Sequence, residues 1–296
     1  MEEIQSEGFV FHSFSGDRIL LVTDLTPCSE QTLEINQNEN IGRQTEKSDY
    51  LNQFTRLKHA IKSGKFEKVI LSRTKLSPTS KNAVTIFNAL NNIYKNTFNY
   101  IISNAEIGTW MGATPERLIS IKEKEISTMS LAGTKTPAAE WTEKEVEEQA
   151  LVTKTILDTL KKHNCTGIKA AGPTTINAGK IQHLHTHITA LLQTESDWKP
   201  VVKNLHPTPA VCGLPTEKAQ KFIPELEQYN RKFYTGFIGL TSKKESHFFV
   251  NLRCMELMKN QAKLYIGGGI TAPSIAEAEW METERKSKTL IDIIQS

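Results

Sequence analysis

The 296-residue sequence has few cysteines, no block of like charge and no apolar run long enough to cross a bilayer. Cys28, Cys165, Cys212 and Cys254 are far apart and form no CxxC pair, which argues against a thiolate zinc site or a disulfide framework and fits a reducing cytoplasm. The formal charge of +3 arises from 36 basic and 33 acidic residues spread along the chain. Without dense Lys/Arg blocks there is no phosphate-backbone footprint, so no nucleic-acid partner is expected. The N-terminal MEEIQSEGFV is acidic and lacks the basic-then-apolar order of a signal peptide, so neither export nor membrane association is expected and the chain reads as cytoplasmic. There is no internal repeat, low-complexity tract, dinucleotide fingerprint or P-loop.

What is present is a long series of β-forming segments interrupted irregularly by helical ones. GFVFHSF and RILLVTDL around Ser15-Gly16-Asp17 predict a hairpin, and residues 28–50 read as a polar linker. Leu51, Phe54, Leu57 and Ile61 form a helical stripe that Gly64 ends, and KVILSRT follows as a strand. A helix over Val84 to Lys95 precedes short strands at NYIIS, GTWMG, RLISI and EISTMS. A long helix over Trp141 to His163 has Thr142 and Glu145 as a capping box. IQHLHTHI, FYTGFIGL, HFFVNLRCMEL and KLYIGGGI read as strands, Glu217 to Tyr229 as a helix, and Ser274 with Glu277 as the cap of a terminal helix. Strands in runs predict an α+β fold, with a large, mostly antiparallel sheet core flanked by helices.

Three constellations carry chemistry. Glu279, Glu282 and Lys286 fall at i, i+3 and i+7 of the terminal helix and share a face, as do Glu145 and Glu148 on the long middle helix. Two such carboxylate pairs offer the oxygen ligands that magnesium prefers, although glutamate-rich helix faces are more often simply solvated. Gly267–Gly269 form a stretch where bare backbone can approach an anion, or else a bend or bulge. His183, His185 and His187 would share one face of a strand, which admits a metal-hydrolase reading alongside plain packing. Arg253, flanked by apolar residues at an apparent strand position, needs an anion or an exit to the surface.

In order, KVILSR, ATPERL, LAGT, KEVEEQ, IQHL, HPTPAVCGLP, FYTGFIG, NLRC, GGGI and EAEWMETERKSKTL resemble the chorismate-utilising family that includes isochorismate synthase, salicylate synthase and anthranilate synthase component I. The resemblance runs from about Leu51 to the C-terminus. It implies a chorismate-binding catalytic domain over 51–296, with residues 1–50 as a hairpin and linker of the same fold. It implies Mg2+ as cofactor, held directly by Glu148 and Glu282 and supported by Glu145 and Glu279. Lys68 matches the family's general base and Glu116, in TPER, its general acid. Lys286 would lie near the ring carboxylate of chorismate, and Arg253 and Tyr234 would hold the enolpyruvyl carboxylate. Gly133, Thr134, His183, Ala210, Gly268 and Gly269 would line the pocket.

Ammonia-using relatives carry Gln at the position of Lys68, so the resemblance implies water as nucleophile and no glutamine amidotransferase subunit. Salicylate- and anthranilate-forming relatives carry Thr at the position of Ala210, so the resemblance favours an isochorismate-forming isomerase over a salicylate synthase that also releases pyruvate. A catalytically silent chorismate binder is the alternative from another class, and retention of an acid/base pair argues against it. Gln149, Lys135 and Lys232 depart from residues common in the family. Product use in menaquinone or siderophore biosynthesis fits equally well, and a monomer or weak homodimer with a short N-terminal region is expected.

Overall fold

The computed structural model describes residue 4 and residues 7–23, 42–178 and 181–295. In chain order the elements are β1 (Gly8–His12), β2 (Ile19–Val22), α1 (Lys47–Lys62), β3 (Lys68–Pro78), α2 (Ala83–Ile93), β4 (Phe98–Asn104), β5 (Gly108–Thr114), β6 (Arg117–Lys122) and β7 (Glu125–Lys135). They continue with α3 (Glu143–Lys162), β8 (Thr166–Ala178), β9 (Ile181–Leu191), α4 (Trp198–Leu205), β10 (Gly213–Leu214), α5 (Thr216–Glu227), β11 (Phe237–Thr241), β12 (Glu245–Val250), β13 (Cys254–Met258), β14 (Gln261–Ile270) and α6 (Ala276–Gln295). The chain divides into two compact units, the first ending at 25 and resuming over 116–221 and 231–250, the second taking 26–115, 222–230 and 251–296.

The first unit is built on one sheet with strand order β2-β1-β11-β12-β6-β7-β9-β8, and its described pairs are antiparallel. The predicted hairpin forms: His12 pairs with Ile19, Ser13 N–H donates to Arg18 O at 2.9 Å, and Asp17 accepts from Ser13 Oγ at 2.7 Å. Helix α3 packs on β7 and β9 through Gln149, Val152, Ile156 and Leu160, a 3–4 spacing that makes one inward stripe. Within that contact Gln149 Nε2 donates to Ser130 Oγ at 2.8 Å and Thr186 Oγ1 at 3.1 Å, which fixes the rotation of the helix.

The second unit has the strand order β3-β14-β13-β5-β4, again antiparallel. Ile86 and Leu90 of α2 and Leu290, Ile293 and Ile294 of α6 pack on Met111, Met255, Leu257, Leu264 and Ile266 from the sheet. In α1 the buried stripe is Tyr50, Gln53, Phe54, Leu57 and Ile61, so Tyr50 rather than Leu51 faces inward and the helix starts at Lys47. Gly64 takes φ +75° and its N–H donates to Ile61 O at 2.9 Å, ending the helix as expected.

Several sequence expectations need correction. HFFVNLRCMEL is not one strand but two, β12 and β13, which belong to different sheets. Arg253 therefore sits in the break between them at φ +47°, not at a strand position. In FYTGFIGL the strand begins only at Phe237; Tyr234 to Gly236 form a turn in which Thr235 has φ +61°. Gly267–Gly269 are neither bend nor bulge, because they pair in unbroken register with Ser72, Leu71 and Ile70. Ser274 Oγ accepts from Thr271 N–H at 3.1 Å and Glu277 pairs with Lys47, in place of the expected capping box. Strand β8 and helix α4 were not predicted at all. Much of the linker read over 28–50 lies outside the described residues, as does Cys28, while Cys165, Cys212 and Cys254 are buried thiols outside any disulfide among the described residues. No described helix is long and apolar enough to cross a membrane.

Candidate active site

In the second unit the chemistry gathers where α6 lies along β14. Glu279 is only 2% exposed, which removes it from the solvated face that glutamate-rich helices usually present. Glu282 Oε1 pairs with Lys286 Nζ at 2.7 Å, and the same ammonium donates to Gly267 O at 3.0 Å. A Cβ on Gly268 would stand 3.5 Å from Glu282 Oε1 and 3.6 Å from Glu279 Oε2, so the missing side chain leaves room over the strand where both carboxylates converge. Gly268 has no unusual φ, and an added Cβ there would stand at ordinary contact distance from both carboxylates.

The helix is pinned in this register by Arg73 on β3, a residue that motif reading gave no role. Its guanidinium, 2% exposed, lies 4.1 Å from the Trp280 ring centroid, donates from Nε to Thr283 Oγ1 at 2.7 Å and pairs with Glu284. Lys75 Nζ binds the other Glu284 oxygen at 2.7 Å. Burial pushes the Glu284 carboxyl up, but the hydrogen bond from Lys75 and the charge of Arg73 outweigh it and hold the group below the ordinary value.

Lys68 opens β3 and is fully buried. Further along the strand, Ser72 N–H and Oγ donate to Glu227 Oε1 at 2.7 and 2.8 Å, and Gln53 Nε2 donates to Glu227 O at 3.2 Å. Glu227 is a buried carboxylate that the sequence did not single out. Arg253 combines the left-handed backbone with burial that lowers its guanidinium pKa, while its carbonyl accepts from Ala113 N–H at 3.1 Å. A strained non-glycine backbone at a half-buried cation is the kind of arrangement found at functional sites.

The first unit supplies the remaining candidates. Glu116 is 5% exposed, and its carbonyl accepts from Val250 N–H at 2.9 Å. Gly133 and Thr134 fall where the β7–β9 register shifts, with Gly133 at φ +70° and its would-be Cβ 3.0 Å from Glu145 Cβ. Only glycine satisfies both the backbone and the approach of α3. His183 Nδ1 lies 2.8 Å from Gly133 O and 3.2 Å from Thr134 Oγ1, so this histidine braces the bulge. Glu145 Oε2 accepts from Thr142 N–H at 3.0 Å, as the predicted capping box requires. Glu145 and Glu148 are both half-buried, whereas Glu143 and Glu147 on the same helix are exposed.

Ala210 sits in a turn closed by Val211 and Cys212 N–H groups, both donating to Thr208 O, at 3.1 and 3.0 Å. Arg231, 3% exposed and missed by sequence reading, joins that turn to the Tyr234 turn. Its Nη1 donates to Val211 O at 2.8 Å and to Thr235 Oγ1 at 3.3 Å, and its carbonyl accepts from Tyr234 N–H at 2.9 Å. Of the histidine row, His183 faces Gly133 and Thr134, and burial with His187 nearby lowers the pKa of His185. Within neither unit do three His, Cys, Asp or Glu side chains, among the described residues, cluster as a metal site. Within the second unit, Glu279 and Glu282 converge over Gly268 as a pair of oxygen donors of the kind that suits a hard divalent cation.

The chain, with its antiparallel sheets flanked by helices, matches the family model described as chorismate binding enzyme over residues 17–295. The chain belongs to that family. It is 31% identical over 249 residues to isochorismate synthase MenF of Escherichia coli, an alignment that covers 79% of this chain and 57% of MenF. The chain thus spans little more than half the length of that relative. The solved structure of the menaquinone-specific isochorismate synthase MenF from Escherichia coli matches with a TM-score of 0.83 at 22% identity, covering 99% of this chain and 80% of that one. Anthranilate synthase component I from Streptococcus pneumoniae matches with a TM-score of 0.75 at 21% identity, covering 84% and 59%. The fold is that of the chorismate-utilising enzymes.

Proposed function

We propose that the chain is an isochorismate synthase, an isomerase that converts chorismate to isochorismate with Mg2+. The observation that carries this reading is the meeting of Glu279, Glu282 and Lys286 over the bare backbone at Gly267 and Gly268. That arrangement offers two carboxylates to a cation and an ammonium to a substrate carboxylate. The similarity to MenF supports the same reading.

Glu148 and Glu282 would hold Mg2+ directly, with Glu145 and Glu279 supporting it, and the ion would supply fixed positive charge to neutralise and orient the ring carboxylate. Lys286 adds a second cation toward that carboxylate, and Arg253 with Tyr234 takes the enolpyruvyl carboxylate, the guanidinium offering paired donors. Lys68 is the base: it takes a proton from water as the water oxygen bonds to C2. The ring double bond shifts, the C4–O bond breaks, and Glu116 gives its proton to the departing hydroxyl, which leaves as water. One water enters and one departs, so substrate and product are isomers. Lys68 is fully buried at the start of β3, away from bulk water. Ala210 presents a methyl where a hydroxyl could promote loss of pyruvate, so the reaction stops at isochorismate.

The test is to incubate the purified chain with chorismate, with Mg2+ and then with chelator, separating products by chromatography and assaying pyruvate. Isochorismate formed only with Mg2+ and without pyruvate is the expected result. Salicylate with equimolar pyruvate would make the chain a salicylate synthase, and bound chorismate without any product would make it a silent binder.

A further inference from the structure

The inference concerns Tyr50 and rests on the reading that Glu279 and Glu282 hold a divalent cation. Tyr50 lies on α1, outside every motif that marks the family. Its side chain is 0% exposed, and its hydroxyl is buried with no hydrogen-bond partner among the described residues. Native structures avoid such a group unless a ligand or water completes it.

The surroundings say what completes it. The Tyr50 ring meets Trp280 edge-on, with centroids 5.4 Å apart and planes at 62°. Trp280 directly follows Glu279 and precedes Glu282 by two residues, and the guanidinium of Arg73 lies 4.1 Å from the centroid of its ring. The indole is therefore held by both neighbours, and the phenol is fixed beside the metal-binding turn of α6. Glu279 and Glu282 are the carboxylates that act most strongly on the phenol, whose hydroxyl is a hydrogen-bond donor.

We propose that Tyr50 Oη donates a hydrogen bond to the Glu279–Glu282 carboxylate pair in the cation-loaded protein, which makes Tyr50 a positioning residue of the metal site. Glu282 Oε1 is otherwise engaged by Lys286 at 2.7 Å. A cation would compete for that oxygen, and a carboxylate released from the ammonium could then accept from Tyr50 Oη. A donor from outside the ligand set fixes carboxylate orientation, as outer hydrogen bonds do at metal sites generally.

The test titrates Mn2+ into the full wild-type chain and Tyr50→Phe, reading free Mn2+ by electron paramagnetic resonance and the Tm of each metal-free protein. Phe removes only the hydroxyl. The expected result is Mn2+ affinity lowered roughly tenfold, with a metal-free Tm equal to or above wild type because an unsatisfied buried group has gone. Wild-type affinity in the variant overturns the role of Tyr50 alone, as does a lowered metal-free Tm with unchanged affinity. A wild-type chain that takes up no Mn2+ overturns this proposal together with the metal reading on which it rests.

Discussion

Lys68 and Gly133 matter in different ways, one through the proton it takes in the proposed mechanism and the other through the side chain it lacks. Lys68→Ala removes the proposed base and spares the residues proposed for the cation and the carboxylates. Steady-state turnover should fall by about two to four orders of magnitude, with chorismate binding by calorimetry nearly unchanged; an active variant would displace Lys68 from its role. Gly133→Ala forces a methyl into a φ of +70° and to within 3.0 Å of Glu145 Cβ. The strain is about 1–3 kcal/mol, and α3 must shift with its two glutamates. A lowered Tm and weaker Mg2+ activation are expected, measured by thermal melts and by activity against Mg2+ concentration. Ala210→Thr places a hydroxyl in the turn closed on Thr208 and should raise pyruvate release in the coupled assay.

Among the elements, α6 is the one whose register decides the site, because a rotation of one residue would carry Glu279 and Glu282 off the glycine strand. Arg73 and Lys75 hold it through Glu284, whose carboxyl stays below its ordinary value of 4.5 despite burial. A carboxyl with a depressed folded pKa contributes stability that is fully present above the unfolded value and is lost as pH falls through the folded one. The wild-type Tm should therefore drop as pH falls below about 4.5, and Glu284→Gln should show a shallower drop in the same window. An identical pH profile would remove Glu284 from the clamp.

This scale also separates what the sequence discloses from what it hides. Helix α3, with its capping box at Thr142 and Glu145, and the hairpin β1–β2 were legible because their apolar spacing and turn residues act locally. Strand β8 was not, since its residues are mostly exposed on an edge strand and show no two-residue apolar alternation. Helix α4 is eight residues with Pro200 near its start, too short for a periodic stripe. The split of HFFVNLRCMEL escaped notice because apolar β-formers continue through a break that only the backbone of Arg253 reveals. Lys68 and Glu116 were named through family motifs, and the four glutamates first through helix-face spacing. Arg73, Arg231, Glu227 and Tyr50 were not, because their contacts are long in sequence separation and no spacing rule reports them.

At the scale of the whole molecule, the two antiparallel sheets give a stable frame whose acid limb has an identifiable source in His206. Burial, reinforced by His12, pushes its pKa from 6.5 down to about 3. The unfolded chain binds this proton more readily than the folded one. Stability is accordingly complete above pH 6.5 and declines as pH falls toward 3. His206→Asn should flatten the dependence of Tm on pH between 6.5 and 4, whatever its effect at neutral pH.

The central claim is that water attacks C2 as the C4 hydroxyl departs. It is tested most directly by running the Mg2+-dependent reaction with chorismate in 18O-enriched water and locating the label in the product by mass spectrometry. Isochorismate with one 18O in its C2 hydroxyl is the result this account predicts; isochorismate that carries no solvent oxygen, or no isochorismate at all, would contradict it.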